Sequence, residues 1–273
     1  MYVQNAIEQD SVAVTYDRDG FVLPIEILTT EEAQQMRDDL ESAERELAND
    51  AERITLLHSY PQELLPSFAN LIRHPTIIDT VSAILGPDLL IWGGSLFIKP
   101  AKSPKIISWH QDLTYWGLDD AQEVTCWVAL SPANLDSGCM KFVAGSHKQR
   151  IVPHVDTHAE DNMLSRGQEI AVDVDEEDAT LCELKPGQAS MHHGHLFHAS
   201  GPNTSDDRRI GMAIRFIKPS MKQESGDRPL VALASGVDRF GNFNISAGPR
   251  DRLQEASFGL CREDAELKKK LLF

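Results

Sequence analysis

Hydrophobic positions in the first third of the chain recur with helical spacing. Ala33, Met36, Leu40, Ala43 and Leu47 fall three and four residues apart, and Arg37, Asp38, Asp39, Glu41, Glu44, Arg45 and Glu46 fill the opposite face. Thr29 and Glu32 have the spacing of a capping box, so the pattern predicts a solvent-facing helix from Thr29 to about Asn49. A second helix is predicted from Pro66 to Leu85, closed by Gly86-Pro87. After Asp88 the pattern changes to short runs rich in β-branched and aromatic residues. Leu89–Pro100, Lys105–Asp112, Glu123–Leu130, Cys139–Val143, Glu169–Val174, Gln188–His198 and Arg209–Ile217 read as strands. In the last of these, Ile210, Met212, Ile214 and Phe216 alternate with Arg209, Gly211, Ala213 and Arg215. One face therefore suits a core, and the other offers arginines beside two small residues, with room for a ligand. Glu263–Phe273 reads as an amphipathic helix able to pack on the core or on a second subunit.

Helices followed by many short strands predict an α+β, mainly β, chain built on an antiparallel sandwich or barrel. No linker or repeat interrupts it, so one domain is expected over residues 1–273. It divides into a helical lead-in at about 29–86, a core at about 89–218 and a C-terminal extension at about 219–273, placed to cover the barrel mouth and contribute to substrate choice.

Composition narrows the function classes. Lys and Arg number 26 against 42 Asp and Glu, a net charge of −16, which excludes a broad nucleic-acid or anionic-membrane surface. Cys126, Cys139, Cys182 and Cys261 form no CxxC pair, so free thiols are expected. The start, MYVQNAIEQD, lacks a cationic stretch followed by an apolar run, and no segment approaches the roughly 20 apolar residues of a membrane span. The expectation is a cytoplasmic protein whose partner is a small molecule.

Candidate chemistry begins at Ser108-Trp109-His110-Gln111-Asp112. On a strand, residues two apart share a face, so His110 and Asp112 converge. The run Gln188–His198 holds His192, His193, His195 and His198. Period two puts His192 and His198 on one face and His193 and His195 on the other. One of these with His110 and Asp112 would complete a 2-His-1-carboxylate set, which leaves open positions on Fe(II). The same histidines could instead form the zinc centre of a hydrolase. An arginine on the small-residue face of the last strand would suit a carboxylate in a two-point grip, unless Arg208 and Arg209 are surface charges following Asp206-Asp207.

These motifs lie in an ordered series: HQDLTYWGL, Cys126-Trp127, Asp136-Ser137-Gly138-Cys139-Met140, Ala144-Gly145-Ser146-His147, and His198-Ala-Ser-Gly-Pro-Asn203 followed by Arg209. The series resembles the phytanoyl-CoA dioxygenase family from about residue 14 to 218, including the entry segment Tyr16–Leu28. The resemblance implies a double-stranded β-helix (a jelly roll, cupin-like) with covering helices. It implies a dioxygenase using Fe(II), 2-oxoglutarate and O2, and metal ligation by His110, Asp112 and His198. His195 is the competing distal ligand but lacks the Ser-Gly-x-Asn context. By the same resemblance Arg209, 11 residues after His198, pairs with the distal carboxylate of 2-oxoglutarate. Ser200 assists it, and Gln111, Trp127 and Ser95 line the co-substrate pocket. Tyr115, Trp116 and Arg215 are the candidate substrate contacts. Ala144 stands where the family has proline, which should loosen that loop without touching a ligand.

Because Asp112 is present, the resemblance implies hydroxylation rather than halogenation. The implied reaction hydroxylates an unactivated C–H of a small organic metabolite and releases succinate and CO2. The metabolite is taken as polar, with an anionic group such as that of a 2-aminoethylphosphonate among the options. A non-catalytic jelly-roll binding module is the other alternative, and the intact His110, Asp112, His198 and Arg209 argue against it.

Overall fold

The computed structural model describes residues 12–164 and 166–271. The N-terminal MYVQNAIEQD and the last two residues of the predicted terminal helix lie outside them. Residues 12–19 form helix α1, and β1 (Phe21–Glu26) follows. In α2 (Thr30–Glu46) the capping box is in place: the Thr29 hydroxyl accepts from the Glu32 N–H at 3.1 Å, and the Glu32 carboxylate accepts from the Thr29 N–H at 2.8 Å. Ala33, Met36, Leu40 and Ala43 are its buried face, as the periodicity requires.

Four shorter helices follow: α3 (Ala51–Ser59), α4 (Pro61–Leu64), α5 (Pro66–Leu71) and α6 (Pro75–Leu85). The single helix expected over Pro66–Leu85 is broken before Pro75. Proline has no N–H to continue the ladder, and it drives the preceding residue out of helical space; His74 sits at φ −58°, ψ 130°.

Two sheets make the core. The larger has the order β1, β9 (Gln188–His192), β4 (Glu123–Ala129), β11 (Arg209–Ile217), β2 (Leu89–Lys99), β12 (Leu230–Ser235), β13 (Asn244–Ser246). The smaller has the order β3 (Ile107–His110), β10 (His198–Ser200), β5 (Met140–Phe142), β8 (Thr180–Cys182), and β6 (His154–Asp156) pairs separately with β7 (Gln168–Ile170). All pairings are antiparallel except β12 with β13. This is the antiparallel sandwich expected of the strand pattern and the jelly roll that the family resemblance implied.

The alternation in β11 sorts its two faces. Ile210, Met212, Ile214 and Phe216 join Leu40, Leu57, Phe68 and Val81 in the apolar layer between the large sheet and the helices. Arg209, Ala213 and Arg215 face the space between the sheets. Gly211 shares that face because a Cβ there would overlap the Trp127 indole.

Two expected strands differ. The run Gln188–His198 is not one strand: β9 ends at His192, the chain turns through 193–197, and β10 begins at His198 in the other sheet. Gly194 makes the turn possible, since a Cβ there would lie 2.7 Å from both Glu123 Oε1 and Leu113 Cγ, and the Gly194 N–H donates to the buried Glu123 carboxylate. Strand β3 stops at His110, and Asp112 opens a 3-10 turn, Asp112–Tyr115. Gln111 between them is still extended, so His110 and Asp112 converge as predicted.

The C-terminal extension is integral to the fold. Strand β12 pairs with β2, and α7 (Glu255–Leu271) begins well before the expected Glu263. Buried Asp264 anchors that helix: it pairs with Lys268 Nζ at 2.8 Å and accepts from the Tyr60 hydroxyl at 3.0 Å and the Leu230 N–H at 2.6 Å. All four cysteines are buried and free. No helix among the described residues is long and apolar enough to cross a membrane.

Candidate active site

Strand register brings the metal-ligating set together. His198 and His110 are cross-strand partners in the β10–β3 pair, so their rings stand on one face, with centroids 4.0 Å apart. Asp112 Oδ1 lies 3.5 Å from His110 Nε2 and 3.9 Å from His198 Nε2. The three donor atoms lie within 4.8 Å of one another, and among the described residues no other such group occurs.

Each ring is oriented by the backbone. His110 Nδ1 is 2.9 Å from the Ser108 carbonyl, and His198 Nδ1 is 3.0 Å from the Leu196 carbonyl. A carbonyl only accepts, so both protons sit on Nδ1 and both Nε2 lone pairs point at the shared centre. Burial opposes the charge on Asp112, but His110, His198 and Arg215 overcome it and hold the carboxyl well below its usual range. Burial likewise holds His198 neutral, its pKa far below the ordinary value. Two imidazoles and one carboxylate on a partly open face are a donor set that Fe(II) takes.

The other histidines do not make a second centre. The break after His192 turns His193 and His195 away: His193 Nδ1 accepts from the His195 N–H at 2.9 Å, and the His195 carbonyl accepts from the Gln111 amide at 2.7 Å. His192 does lie beside the site, 5.1 Å from His198 between ring centroids, and burial pushes its pKa down to about 4.

The triad lines one side of a cavity of about 720 Å³ between the sheets. Ser95, Tyr115, Trp116, Trp127, Ser200, Arg209 and Arg215 all line it. Arg209 is 1% exposed, and its guanidinium lies over the Trp127 ring at 5.4 Å. It donates through Nη1 to the Gly138 carbonyl, while its buried Nε has no partner. Burial lowers its pKa to about 10, so it remains a cation at neutral pH. Its neighbour Arg208 points outward onto Glu44, at 2.8 Å from both carboxylate oxygens. Of the two arginines, Arg208 pairs on the surface and Arg209 faces the cavity.

Gln111 is the exception. Its side chain faces away from the cavity and joins three loop segments: the amide donates to the Arg150 and His195 carbonyls and accepts from the Val152 N–H at 2.9 Å. It lies between two ligands that face the metal, so period two turns it the other way. Its place there is to hold the loops, not to contact a co-substrate.

Three features escaped the sequence reading. Lys99 is fully buried and pairs in register with Arg209 across β2 and β11. Its ammonium donates to the Ser200 hydroxyl at 2.7 Å, and burial beside Arg209 lowers its pKa to about 7. Its signal was a lysine in phase with Phe97 and Ser95 on the inward face of an apolar strand. Buried Glu123, pushed well up in pKa by burial, holds the Gly194 turn that delivers His198. Finally, Arg262, Ala265, Lys268 and Lys269 of α7 line the cavity.

The sequence profile of the phytanoyl-CoA dioxygenase family matches residues 16–211. The chain belongs to that family. Among curated relatives, a probable phytanoyl-CoA dioxygenase of Caenorhabditis elegans is 25% identical over 186 residues, 65% of this chain and 59% of the relative. An ectoine dioxygenase of Bordetella bronchiseptica is 27% identical over 164 residues, 54% of this chain and 52% of the relative. The chain spans just over half the length of these curated relatives. A solved structure described as the non-heme monooxygenase ThoJ in its apo form superposes with a TM-score of 0.87 at 33% identity, covering 96% of this chain and 97% of that one. The His110–Asp112–His198 set has the donors that a non-haem Fe(II) site takes.

Proposed function

We propose that this protein, acting as a single domain, hydroxylates an unactivated C–H of a small organic molecule, with 2-oxoglutarate converted to succinate and CO2. The observation that carries this reading is the convergence of His110, Asp112 and His198 on a cavity whose far wall presents the unpartnered Nε of Arg209. His110 and His198 would hold Fe(II) through Nε2 and Asp112 through a carboxylate oxygen. The bound metal would supply the activation of O2.

The protein's own residues do the rest. The Ser108 and Leu196 carbonyls fix both imidazole tautomers before metal arrives. Arg209, over Trp127 and with Nη1 held by the Gly138 carbonyl, presents a cation to the distal carboxylate of 2-oxoglutarate. Ser200, braced by Lys99, flanks that carboxylate. Trp92 and Trp116, stacked with centroids 4.9 Å apart, and Tyr115 wall the substrate side and exclude water. A cavity so rich in aromatic rings suits a substrate with an apolar body better than a wholly polar one.

The zinc-hydrolase alternative loses its basis because His193 and His195 turn away from His192 and His198. The test is succinate formation from 2-oxoglutarate with Fe(II) and ascorbate, repeated with Zn(II) in place of iron. The oxygenase reading requires succinate with iron alone; turnover that ignored 2-oxoglutarate would refute it.

A further inference from the structure

Arg215, like Arg209, makes no ion pair within 4 Å among the described residues, whereas Arg37, Arg208 and Arg252 nearer the surface all do. Its Nη1 donates to Ser95 Oγ at 2.8 Å, and its buried Nε donates to nothing. The guanidinium is held between Trp116 and Phe97, with its centre 5.4 and 5.9 Å from the ring centroids. The Asp112 carboxylate acts on Arg215 from a distance without a hydrogen bond to it, and a buried N–H left without an acceptor is costly, so the free edge of the guanidinium suits an anion.

The neighbours of Arg215 complete a site. Strand register sets His192, Thr125, Arg215 and Gly93 in one row across β9, β4, β11 and β2, all on the cavity face. His192 is 2% exposed, and its Nδ1 has no hydrogen-bond partner. Thr125 between them is buried, and its hydroxyl has no hydrogen-bond partner. At the fourth place Gly93 leaves open space: a Cβ there would meet nothing within 4 Å. The row therefore holds three unsatisfied buried polar atoms, Arg215 Nε, Thr125 Oγ1 and His192 Nδ1, and a void beside the guanidinium.

The two arginines of β11 have different partners: Nη1 of Arg209 donates to the Gly138 carbonyl and Nη1 of Arg215 to Ser95 Oγ, and their Cα atoms are six residues, roughly 20 Å, apart at ~3.3 Å per residue. With 2-oxoglutarate held at Arg209, the Nε of Arg215 still lacks an acceptor.

We propose that the row Arg215–Thr125–His192, opened by Gly93, is the binding site for a carboxylate on the substrate, whose apolar body lies against Trp92 and Trp116. This rests on the oxygenase reading above and names the substrate class for it. The Nε–Nη2 edge of Arg215 offers two parallel N–H donors to the carboxylate, and His192 approaches from the opposite side of Thr125.

The test uses the full chain loaded with Fe(II) and saturating 2-oxoglutarate, without oxygen. 4-Phenylbutyrate and its neutral amide, 4-phenylbutyramide, are titrated while tryptophan fluorescence is followed. The acid is expected to bind at least tenfold more tightly than the amide. Arg215→Gln should reduce that preference to within twofold. Gly93→Val, which fills the void and leaves the charge in place, should weaken the acid at least tenfold. Equal binding of acid and amide, binding of neither, or a preference that survives in both variants would overturn the proposal. So would displacement of 2-oxoglutarate by the acid, which would assign Arg215 to the co-substrate. Succinate formation by the wild-type protein tests the oxygenase reading separately, so the two failures are distinguishable.

Discussion

Gly211 and Gly93 lie on adjacent strands, face the same cavity and make opposite predictions for the same substitution. At Gly211 an added Cβ would overlap Cζ2, Cη2 and Cε2 of Trp127. Carbon pairs rest at about 3.5–4.0 Å, so the indole must retreat by more than about 1 Å, and it is 3% exposed with little room to do so. Overpacking of this kind costs about 1–3 kcal/mol, of which the entropy gained by replacing a strand glycine returns roughly 0.5–1. Gly211→Ala should therefore lose about 1–2 kcal/mol, or about 2–8 °C in Tm for a chain of this size. Because Trp127 underlies the Arg209 guanidinium, the KM for 2-oxoglutarate should rise as well. Gly93→Ala meets nothing within 4 Å and should be neutral or slightly stabilising. Urea denaturation and 2-oxoglutarate titration of both variants check the pair. A Gly211→Ala protein as stable as wild type, or equal destabilisation by the two changes, would refute the close packing on which the co-substrate pocket depends.

Arg209→Lys keeps the charge but loses the forked donor, and should raise the KM for 2-oxoglutarate at least about tenfold in steady-state kinetics. Glu123→Gln can still accept from the Gly194 N–H and should stay within about 1 kcal/mol of wild type near neutral pH, whereas Glu123→Ala should lose about 1–3 kcal/mol in denaturant melts. Burial raises the Glu123 pKa above its unfolded value, so its contribution is full below about pH 4.3 and falls as pH rises toward the folded pKa. The stability of Glu123→Gln relative to wild type should accordingly increase with pH, as melts across pH 5–8 would show. Lys268→Met strands the buried Asp264 carboxylate and should cost about 3–5 kcal/mol, read by the same melts, with Asp264→Asn costing less.

What was legible in the sequence was local. The capping box of α2 and the alternation in β11 are written in a few consecutive residues, and both hold. His110 and Asp112 are two positions apart, so their convergence needs only an extended Gln111 between them. His198 could be chosen over His195 only by resemblance, because the turn at Gly194 is imposed by Glu123 and Leu113, 71 and 81 positions away in the chain. The same long reach hid Lys99, whose meaning comes from its register with Arg209, and α7, whose charged face became a cavity wall only once Asp264 was docked. Gln111 shows the converse. A motif position carried over by resemblance places a side chain in the right neighbourhood without saying which way it faces.

The central claim is that His110, Asp112 and His198 form an iron site that couples 2-oxoglutarate to oxidation. Its most direct test is succinate production from 2-oxoglutarate with Fe(II) and O2, compared between wild type and Asp112→Ala at equal folded concentration. The account predicts iron-dependent succinate from the wild type and a loss of at least a hundredfold in the variant. Succinate formed at the same rate by both proteins would contradict it.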